Sequence, residues 1–213
     1  MHTIIAIDGP AASGKSSVAR KLARTIRFSY VNSGSFYRTA TWYMLTRGVD
    51  VQNAEAVTDA VKAGNFRSGF ENGESFFEVD GQRANITDDA VNRSVSSVAR
   101  VPAVREVVNT HLHALAEQAD SIVEGRDIGS AVFPATPYKF YIDASPEVRQ
   151  QRRSAQGQAD EVAARDKQDS SRATAPLTIP EGSTVVDSTH LSIDEVVDAI
   201  VSALESRGWS PAP

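Results

Sequence analysis

The chain has 213 residues, of which 41% are hydrophobic and 23% are charged, and its formal net charge is −5. This composition predicts a globular protein with one sizeable core, and the acidic balance argues against a surface for polymeric nucleic acid or an anionic membrane. The absence of cysteine excludes a disulfide framework, a Cys-based zinc site and a thiol nucleophile. No signal peptide and no apolar run of membrane-spanning length is found, so we expect a cytoplasmic protein.

A phosphate-binding signature follows the first apolar strand at residues 4–8. The pattern G-x-x-x-x-G-K-S begins at Gly9, and Gly9 and Gly14 let the backbone curl so that successive N–H groups point at an anion. Lys15 is spaced to reach the β and γ phosphates of a nucleotide, and Ser16 to bind the accompanying Mg²⁺. An amphipathic helix comes next, with its N-terminus towards the phosphates. The predicted ATP-phosphate site comprises Gly9, Pro10, Ala11, Ala12, Ser13, Gly14, Lys15, Ser16 and Ser17.

Four further short apolar segments alternate with helical patterns, at residues 28–31, 121–124, 138–142 and 184–187. Such alternation predicts an α/β fold with a five-stranded parallel sheet covered by helices on both faces, and with ligands at the carboxyl ends of the strands. The polar residues at those ends are Asp8, Asn32, Glu124, Asp143 and Asp187.

An insertion with β character interrupts the alternation. The Asn72-Gly73 and Asp80-Gly81 pairs predict tight turns, and so an antiparallel meander with strands at 66–71, 74–79 and 82–86.

A second interruption, at residues 149–172, is rich in charge and poor in apolar residues, and it predicts a mobile helical flap. Arg165, Asp169 and Arg172 recur at i, i+4 and i+7, which places all three on one helix face. Such a face is suited to closing over phosphates, although a solvated helical hairpin has the same pattern.

The rest of the chain narrows the class of phosphate-loop protein. A regulatory GTPase carries an N-K-x-D motif, which is absent, and the strand that ends at Glu124 is shorter than the Asp-terminated strand of motor, helicase or transporter ATPases. Small kinases remain, and these need a second anion site and a lid that excludes water. Ser33 and Arg38 follow the second strand, and Arg126 and Asp127 follow the third, so both pairs are placed at the ligand edge. The alternatives are that Arg38 is an ordinary surface arginine and that Arg126 and Asp127 form an ion pair within a loop.

Several short motifs in this order and spacing resemble the bacterial cytidylate kinases, which are phosphate-loop nucleoside monophosphate kinases. The resemblance runs nearly end to end, and the β insertion looks like the extra monophosphate-binding segment that separates the bacterial enzymes from the eukaryotic UMP/CMP kinases. The motifs are Ile5 to Pro10, Ser33-Gly34 with Tyr37-Arg38, Ser96 with Val98-Ala99, Pro102 to Glu106, Gly125 to Gly129 with Val132-Phe133-Pro134, Arg165-Asp166 with Asp169 and Arg172-Ala173, Ala175-Pro176-Leu177, and Val186 to Thr189.

The resemblance implies transfer of the γ-phosphoryl group of ATP to CMP or dCMP with Mg²⁺, in pyrimidine nucleotide metabolism. It implies one domain with three parts: a core of residues 1–31, 105–148 and 173–213, a monophosphate-binding insertion of residues 32–104, and a lid of residues 149–172. We expect a monomer that binds small nucleotides and neither polymeric nucleic acid nor a membrane.

Residue roles follow from the same resemblance. The catalytic residues implied are Lys15, Arg126, Arg165 and Arg172, and Ser16 is the residue implied for the metal. The CMP-binding residues implied are Ser33, Arg38, Ser96, Arg105, Arg126, Asp127, Arg165 and Asp169. Among these, Ser96, Arg105 and Asp127 would read the cytosine and Arg38 and Arg126 would hold the α-phosphate, while Arg165 and Asp169 would reach the sugar or the phosphates.

The chain departs from the family pattern at a few positions. Asn32 and Glu124 stand where Asp is usual, Thr87 stands where Arg is usual, and the flap is shorter than typical. Two other functions stay open at this point: a kinase for another acceptor, such as UMP, AMP or a metabolite hydroxyl, and a nucleotide-binding regulatory module without turnover.

Overall fold

Strands and helices alternate in the computed structural model, which describes residues 2–155, 162–172 and 174–210. The strands are β1 (Ile4–Asp8), β2 (Ser29–Asn32), β3 (Phe66–Glu71), β4 (Glu74–Val79), β5 (Ser121–Gly125), β6 (Tyr138–Asp143) and β7 (Thr184–Asp187). The helices are α1 (Lys15–Ile26), α2 (Ser33–Thr46), α3 (Ala54–Ala63), α4 (Asp89–Val98), α5 (Pro102–Ala116), α6 (Pro146–Ala155), α7 (Val162–Ser170) and α8 (Ile193–Ser206). One turn of π-helix covers Ile128–Val132.

The five parallel strands predicted from the sequence are present, in the order β2-β5-β1-β6-β7. The sheet nevertheless has seven strands, because the β3–β4 hairpin extends it beyond β2 through a pairing of Tyr30 with Glu74. The predicted antiparallel pairing of 66–71 with 74–79 is confirmed, and the hairpin continues the central sheet.

The predicted third strand of the meander, at 82–86, is wrong. Gln82 forms an isolated bridge to Val79, and the chain then turns towards α4. The Thr87 hydroxyl donates to Asn85 Oδ1 at 2.8 Å, and the Asp88 carboxylate caps α4 by accepting from the backbone N–H of Ala90 at 2.7 Å. These local side-chain bonds compete with strand pairing and end the meander after two strands.

Each face of the sheet packs against its own helical layer. Ala6, Val31 and Val123 belong to one core, which includes residues of α2 and α5. Ile5, Ile7 and Ile122 belong to the other core, which includes residues of α1 and α8. Successive strand side chains point to opposite faces, so a strand buried on both sides needs apolar residues at nearly every position, as β1 has.

Three loops and helix starts meet at the carboxyl ends of β1, β2 and β5. Gly14 caps α1 with a φ of 88°, in the left-handed region that favours glycine. Away from this edge, α8 begins with a capping box between Ser192 and Glu195. None of the helices in the described ranges is long and apolar enough to cross a bilayer.

Candidate active site

The phosphate loop between β1 and α1 depends on the close approach of two backbones. A Cβ atom added at Gly9 would lie 2.1 Å from the carbonyl oxygen of Ile142 in β6, so no side chain fits there. The buried Lys15 ammonium donates to the carbonyl oxygen of Pro10 at 3.0 Å. The hydroxyl of Ser13 is buried without a hydrogen-bond partner among the described residues.

Glu124, at the end of β5, links the loop to β2. One of its carboxylate oxygens accepts from the Ser16 hydroxyl at 2.8 Å and from the Tyr30 hydroxyl at 3.1 Å. Burial raises the pKa of Tyr30, and the nearby Glu124 carboxylate adds to that rise, so the phenol stays protonated as a donor. Asn32 donates to the Tyr30 hydroxyl at 3.2 Å and also caps α2 by accepting from the backbone N–H of Ser35.

These oxygen groups fit a magnesium ion that arrives with a nucleotide. Mg²⁺ prefers oxygen ligands and is usually held by one or two protein groups together with phosphates and water. Ser16 and Glu124 supply a hydroxyl and a carboxylate beside the loop. Within the described ranges, no three His, Cys, Asp or Glu side chains cluster as an independent metal site.

The sequence-predicted base readers lie on three different elements. Arg105 of α5 and Asp127 form a buried ion pair, and Ser96 of α4 is also buried. Burial raises the pKa of Asp127, and the Arg105 guanidinium opposes that rise. The Arg105 guanidinium also lies over the Tyr37 ring, with its carbon 5.7 Å from the ring centroid. This arrangement holds a carboxylate and a guanidinium in fixed positions.

Asp169 of α7 connects two predicted phosphate-binding arginines. One oxygen accepts from Arg126 Nε at 2.9 Å, and the other pairs with the Arg172 guanidinium. The predicted shared helix face is wrong for Arg172, because α7 ends at Ser170 and Arg172 lies beyond it. Arg172 still reaches the site, and its buried Nε has no hydrogen-bond partner among the described residues. Arg165 belongs to α7, but its side chain lies outside the described part of the structure.

Helices α6 and α7 also contact the phosphate loop directly. Asp166 of α7 accepts from the backbone N–H of Ala11 at 3.3 Å and pairs with the buried Arg149 of α6. Arg152, also on α6, donates to the carbonyl oxygens of Ser13 and Ser188, at 3.3 and 2.7 Å. A carboxylate of α7 thus accepts from a loop N–H group of the kind that binds phosphate oxygens.

Arg38 and Ser33 lie at the start of α2. A Cβ atom at Gly34 would approach Arg38 Nη1 to 2.9 Å, so the guanidinium packs directly on the Gly34 backbone. Arg38 Nε also donates to Asn92 Oδ1 of α4 at 3.3 Å. The Ser33 hydroxyl donates to the carbonyl oxygen of Glu124 at 2.8 Å, which ties α2 to β5.

A cleft of about 350 Å³ joins these groups. Gly9, Pro10, Ser13 and Arg105 are not among its lining residues, but Arg105 pairs with Asp127, which is. Of the sequence-predicted residues, the cleft is lined by Ala11, Ala12, Gly14, Lys15, Ser16, Ser17, Ser33, Arg38, Ser96, Arg126, Asp127, Asp169 and Arg172.

Sequence reasoning did not assign a role to some cleft residues. Tyr37 and Asn92 line the cleft, as does the buried Arg153 of α6. The spacing of Arg149 and Arg153, four residues apart, would have placed both on one face of α6. For Asn92 no local signal exists, since its contact to Arg38 spans two helices.

Comparisons with known proteins agree on one family. A family model described as cytidylate kinase matches residues 5–206. The cytidylate kinase of Rhodococcus opacus (strain B4) is 40% identical over 218 residues, covering 96% of this chain and 95% of that protein. The cytidylate kinase of Streptomyces griseus is 37% identical over 215 residues, covering 96% of this chain and 93% of that protein.

Among solved structures, shikimate kinase from Acinetobacter baumannii in complex with shikimate has a TM-score of 0.54 at 11% identity, covering 99% of this chain and 97% of that one. At that identity the likeness shows the fold alone, which is that of a phosphate-loop kinase.

Proposed function

The chain belongs to the cytidylate kinase family, and on that premise we propose that its cleft transfers the γ-phosphoryl group of ATP to CMP or dCMP, giving CDP or dCDP. The observation that carries the proposal is that the phosphate loop and the buried carboxylate of Asp127 open into the same cleft. One end suits a triphosphate and the other a base with an exocyclic amine.

Base selection rests on the donors and acceptors around Asp127. Its carboxylate would accept from the exocyclic amine of cytosine, while Arg105 and Ser96 would donate to O2 and N3. Uracil presents a carbonyl oxygen where cytosine presents the amine, so Asp127 would face another acceptor. A buried polar group left unpaired in this way costs about 1–3 kcal/mol, which favours cytosine.

Charge neutralisation rests on the basic residues of the cleft. Lys15, Arg126 and Arg172 line it together, and Asp169 holds the two arginines in place. We assign Arg38 and Arg126 to the acceptor phosphate, Arg172 and Lys15 to the transferring group, and Arg165 and Asp169 to the sugar or the phosphates. The acceptor oxygen is already ionised at neutral pH, so alignment and electrostatics supply the rate and no dedicated base is needed.

Magnesium fits beside Ser16 and Glu124. Ser16 would bind the ion, and Glu124 would orient it through the Ser16 hydroxyl or a bound water. When bound, the ion neutralises charge on the β and γ phosphates. The two departures from the family pattern at Asn32 and Glu124 thus form one hydrogen-bonded group through Tyr30.

The domain assignment is part of the proposal. Residues 32–104 would bind the monophosphate, residues 149–172 would form the lid, and the remainder would form the core. Contacts from α7 to Ala11 and Arg126 support the lid assignment. The protein would act as a monomer.

The test is release of ADP from ATP·Mg²⁺ with CMP, dCMP, UMP, AMP and GMP as separate acceptors, for the wild type and Lys15→Ala. We expect strong turnover with CMP and dCMP that is lost in the variant. Turnover confined to another acceptor would overturn the roles given to Ser96, Arg105 and Asp127. No turnover with any acceptor would favour a nucleotide-binding module without catalysis.

A further inference from the structure

Asp8, the last residue of β1, is fully buried, at 0% exposure, and does not line the cleft. Its Oδ1 accepts from the backbone N–H of Ile128 at 2.7 Å, and its Oδ2 accepts from the backbone N–H of Gly129 at 2.7 Å. Both carboxylate oxygens are therefore committed to one short backbone segment, 120 and 121 residues away along the chain.

That segment begins the π-helical turn that directly follows Asp127. The N–H groups of Ala131 and Val132 both donate to the carbonyl oxygen of Asp127. The first N–H groups of a helical turn have no partner within it, and here Asp8 supplies both acceptors from the neighbouring strand. A carboxylate is also favoured at the positive end of a helical turn.

The surrounding backbone is built to admit this carboxylate. A Cβ atom at Gly129 would lie 3.2 Å from Asp8 Oδ2, closer than most such contacts, so the absence of a side chain allows the approach. Asp127 itself has a φ of −145° and a ψ of 26°, outside the regular helical values. The conformation that aims its side chain is thus imposed from outside the turn.

We infer that Asp8 is a positioning residue for Arg126 and Asp127, because it fixes the backbone turn that directly follows them. The inference rests on the proposed function, which gives Arg126 to the acceptor phosphate and Asp127 to the base.

A carboxylate is the side chain that this position requires. Asparagine has nearly the same shape but offers one acceptor oxygen, and its NH₂ group would face one of the two backbone N–H groups. Asp8→Asn therefore loses one hydrogen bond and places two donors together. Displacement of the turn by about 1 Å is enough to reduce a rate that depends on alignment by about 100-fold.

The experiment compares Asp8→Asn and Gly129→Ala with Leu204→Ala. Gly129→Ala places a methyl group against the Asp8 carboxylate and so disturbs the same contact from the side of the turn. It tests the inference if Asp8→Asn does not fold. Leu204 is buried in the core against α1, away from the turn, so its loss lowers stability without touching Asp8. For each variant we measure the melting temperature, kcat and KM with CMP and with UMP, and the Kd of a non-hydrolysable ATP analogue.

We expect Asp8→Asn and Gly129→Ala to raise the KM for CMP at least tenfold and to reduce the preference for CMP over UMP, with the Kd of the ATP analogue changed less than about threefold. Leu204→Ala should lower the melting temperature and leave the KM for CMP and the preference for CMP over UMP unchanged. An unchanged KM and preference in Asp8→Asn would overturn the inference. Equal changes in Leu204→Ala would do so too, since they would then follow from lost stability.

Hydrogen exchange separates this inference from the proposed function. If Asp8 holds the turn, the amides of Ile128 and Gly129 exchange faster in Asp8→Asn than in the wild type, whatever substrate the protein uses. A wild type inactive with CMP refutes the proposed function, and unchanged exchange at these two amides refutes the positioning role of Asp8.

Discussion

At the scale of single residues, carboxylates hold the basic groups of the cleft in place. Asp127 pairs with Arg105, and Asp169 bridges Arg126 and Arg172, with each carboxylate buried. Buried charges are tolerated when they are paired, and removing one partner leaves the other uncompensated. The positions of the arginines are therefore set before any nucleotide binds.

Asp127→Asn tests base recognition at this scale. The asparagine side chain presents either an amide donor or a single oxygen to the base, so the fit to the cytosine amine weakens and the fit to the uracil carbonyl improves. We expect kcat/KM for CMP to fall about 100-fold, and the ratio of CMP to UMP use to fall further, while the Kd of an ATP analogue stays within about threefold. Steady-state kinetics with both acceptors and calorimetry with the analogue measure these values.

Asp59→Asn is the matched control, because it makes the same chemical change on the exposed side of α3. It should leave kcat/KM for CMP, the ratio of CMP to UMP use and the Kd of the ATP analogue unchanged. If Asp127→Asn keeps its CMP activity and its preference for CMP, the role given to Asp127 is wrong.

At the scale of elements, α7 connects the phosphate loop to the segment that follows β5. Asp166 contacts the phosphate loop at Ala11, and Asp169 contacts Arg126 after β5. The two carboxylates contact groups that would bind phosphate oxygens, so a bound triphosphate would compete with α7 for them.

Asp166→Asn tests that competition. The variant removes a negative charge beside the phosphate loop and leaves the buried Arg149 guanidinium facing, among the described residues, only the more distant carboxylate of Asp143, 3.8 Å from its Nε, so attraction for a polyphosphate increases. We expect the Kd of an ATP analogue to fall by roughly tenfold, about 1.4 kcal/mol. Calorimetry at low and high salt measures the change, and most of it should persist in salt because Arg149 is buried.

The exposed Asp198 of α8 supplies the control, and Asp198→Asn should bind the analogue as the wild type does. Unchanged or weaker binding by Asp166→Asn would show that this carboxylate does not compete with phosphates.

At the scale of the whole molecule, the sheet brings distant segments to one edge. Asp8 is buried beneath that edge, between the cores on the two faces of the sheet, and burial raises its pKa to about 6 from an ordinary value of 3.8. The Asp127 carboxylate adds to the rise, and the Lys15 ammonium opposes it. The ionisation of this one group is therefore linked to global stability.

The sign of that linkage gives a prediction. The pKa of Asp8 is about 6 in the folded protein and 3.8 in the unfolded chain, so the folded protein keeps the proton to a higher pH. The stability due to Asp8 is therefore full below about pH 3.8 and is lost as the pH rises through about 6. The free energy of unfolding of the wild type minus that of Asp8→Asn should thus fall as the pH rises between about 4 and 6. Urea unfolding from pH 4 to pH 8 measures it.

Other carboxylates titrate in both proteins and cancel in this difference. A difference that is constant across the range, or that rises with pH, would show that the pKa of Asp8 in the folded protein is not raised.

Much of the fold and of the site could be predicted because the signals are local. The apolar run of β1 and the glycines of the phosphate loop each act over a few residues, and the structure places them as predicted. The resemblance supplied residue roles that remain predictions, and Arg165 is among them. Two local predictions were wrong, the strand at 82–86 and the helical face of Arg172, because side-chain bonds at Asn85 and Asp88 and the helix end at Ser170 overrode the pattern.

The sequence by itself thus determined that this is a phosphate-loop protein, since a strand, a glycine-rich loop and a helix in succession with this spacing bind nucleotide phosphates. Only the tertiary structure decided which groups meet. Asp8 reaches Ile128, Ser16 reaches Glu124 and Asp166 reaches Ala11 across 120, 108 and 155 residues. Contacts of that kind leave no periodicity in the chain, because they depend on the order in which parallel strands pair and on the edge of the sheet where their carboxyl ends meet.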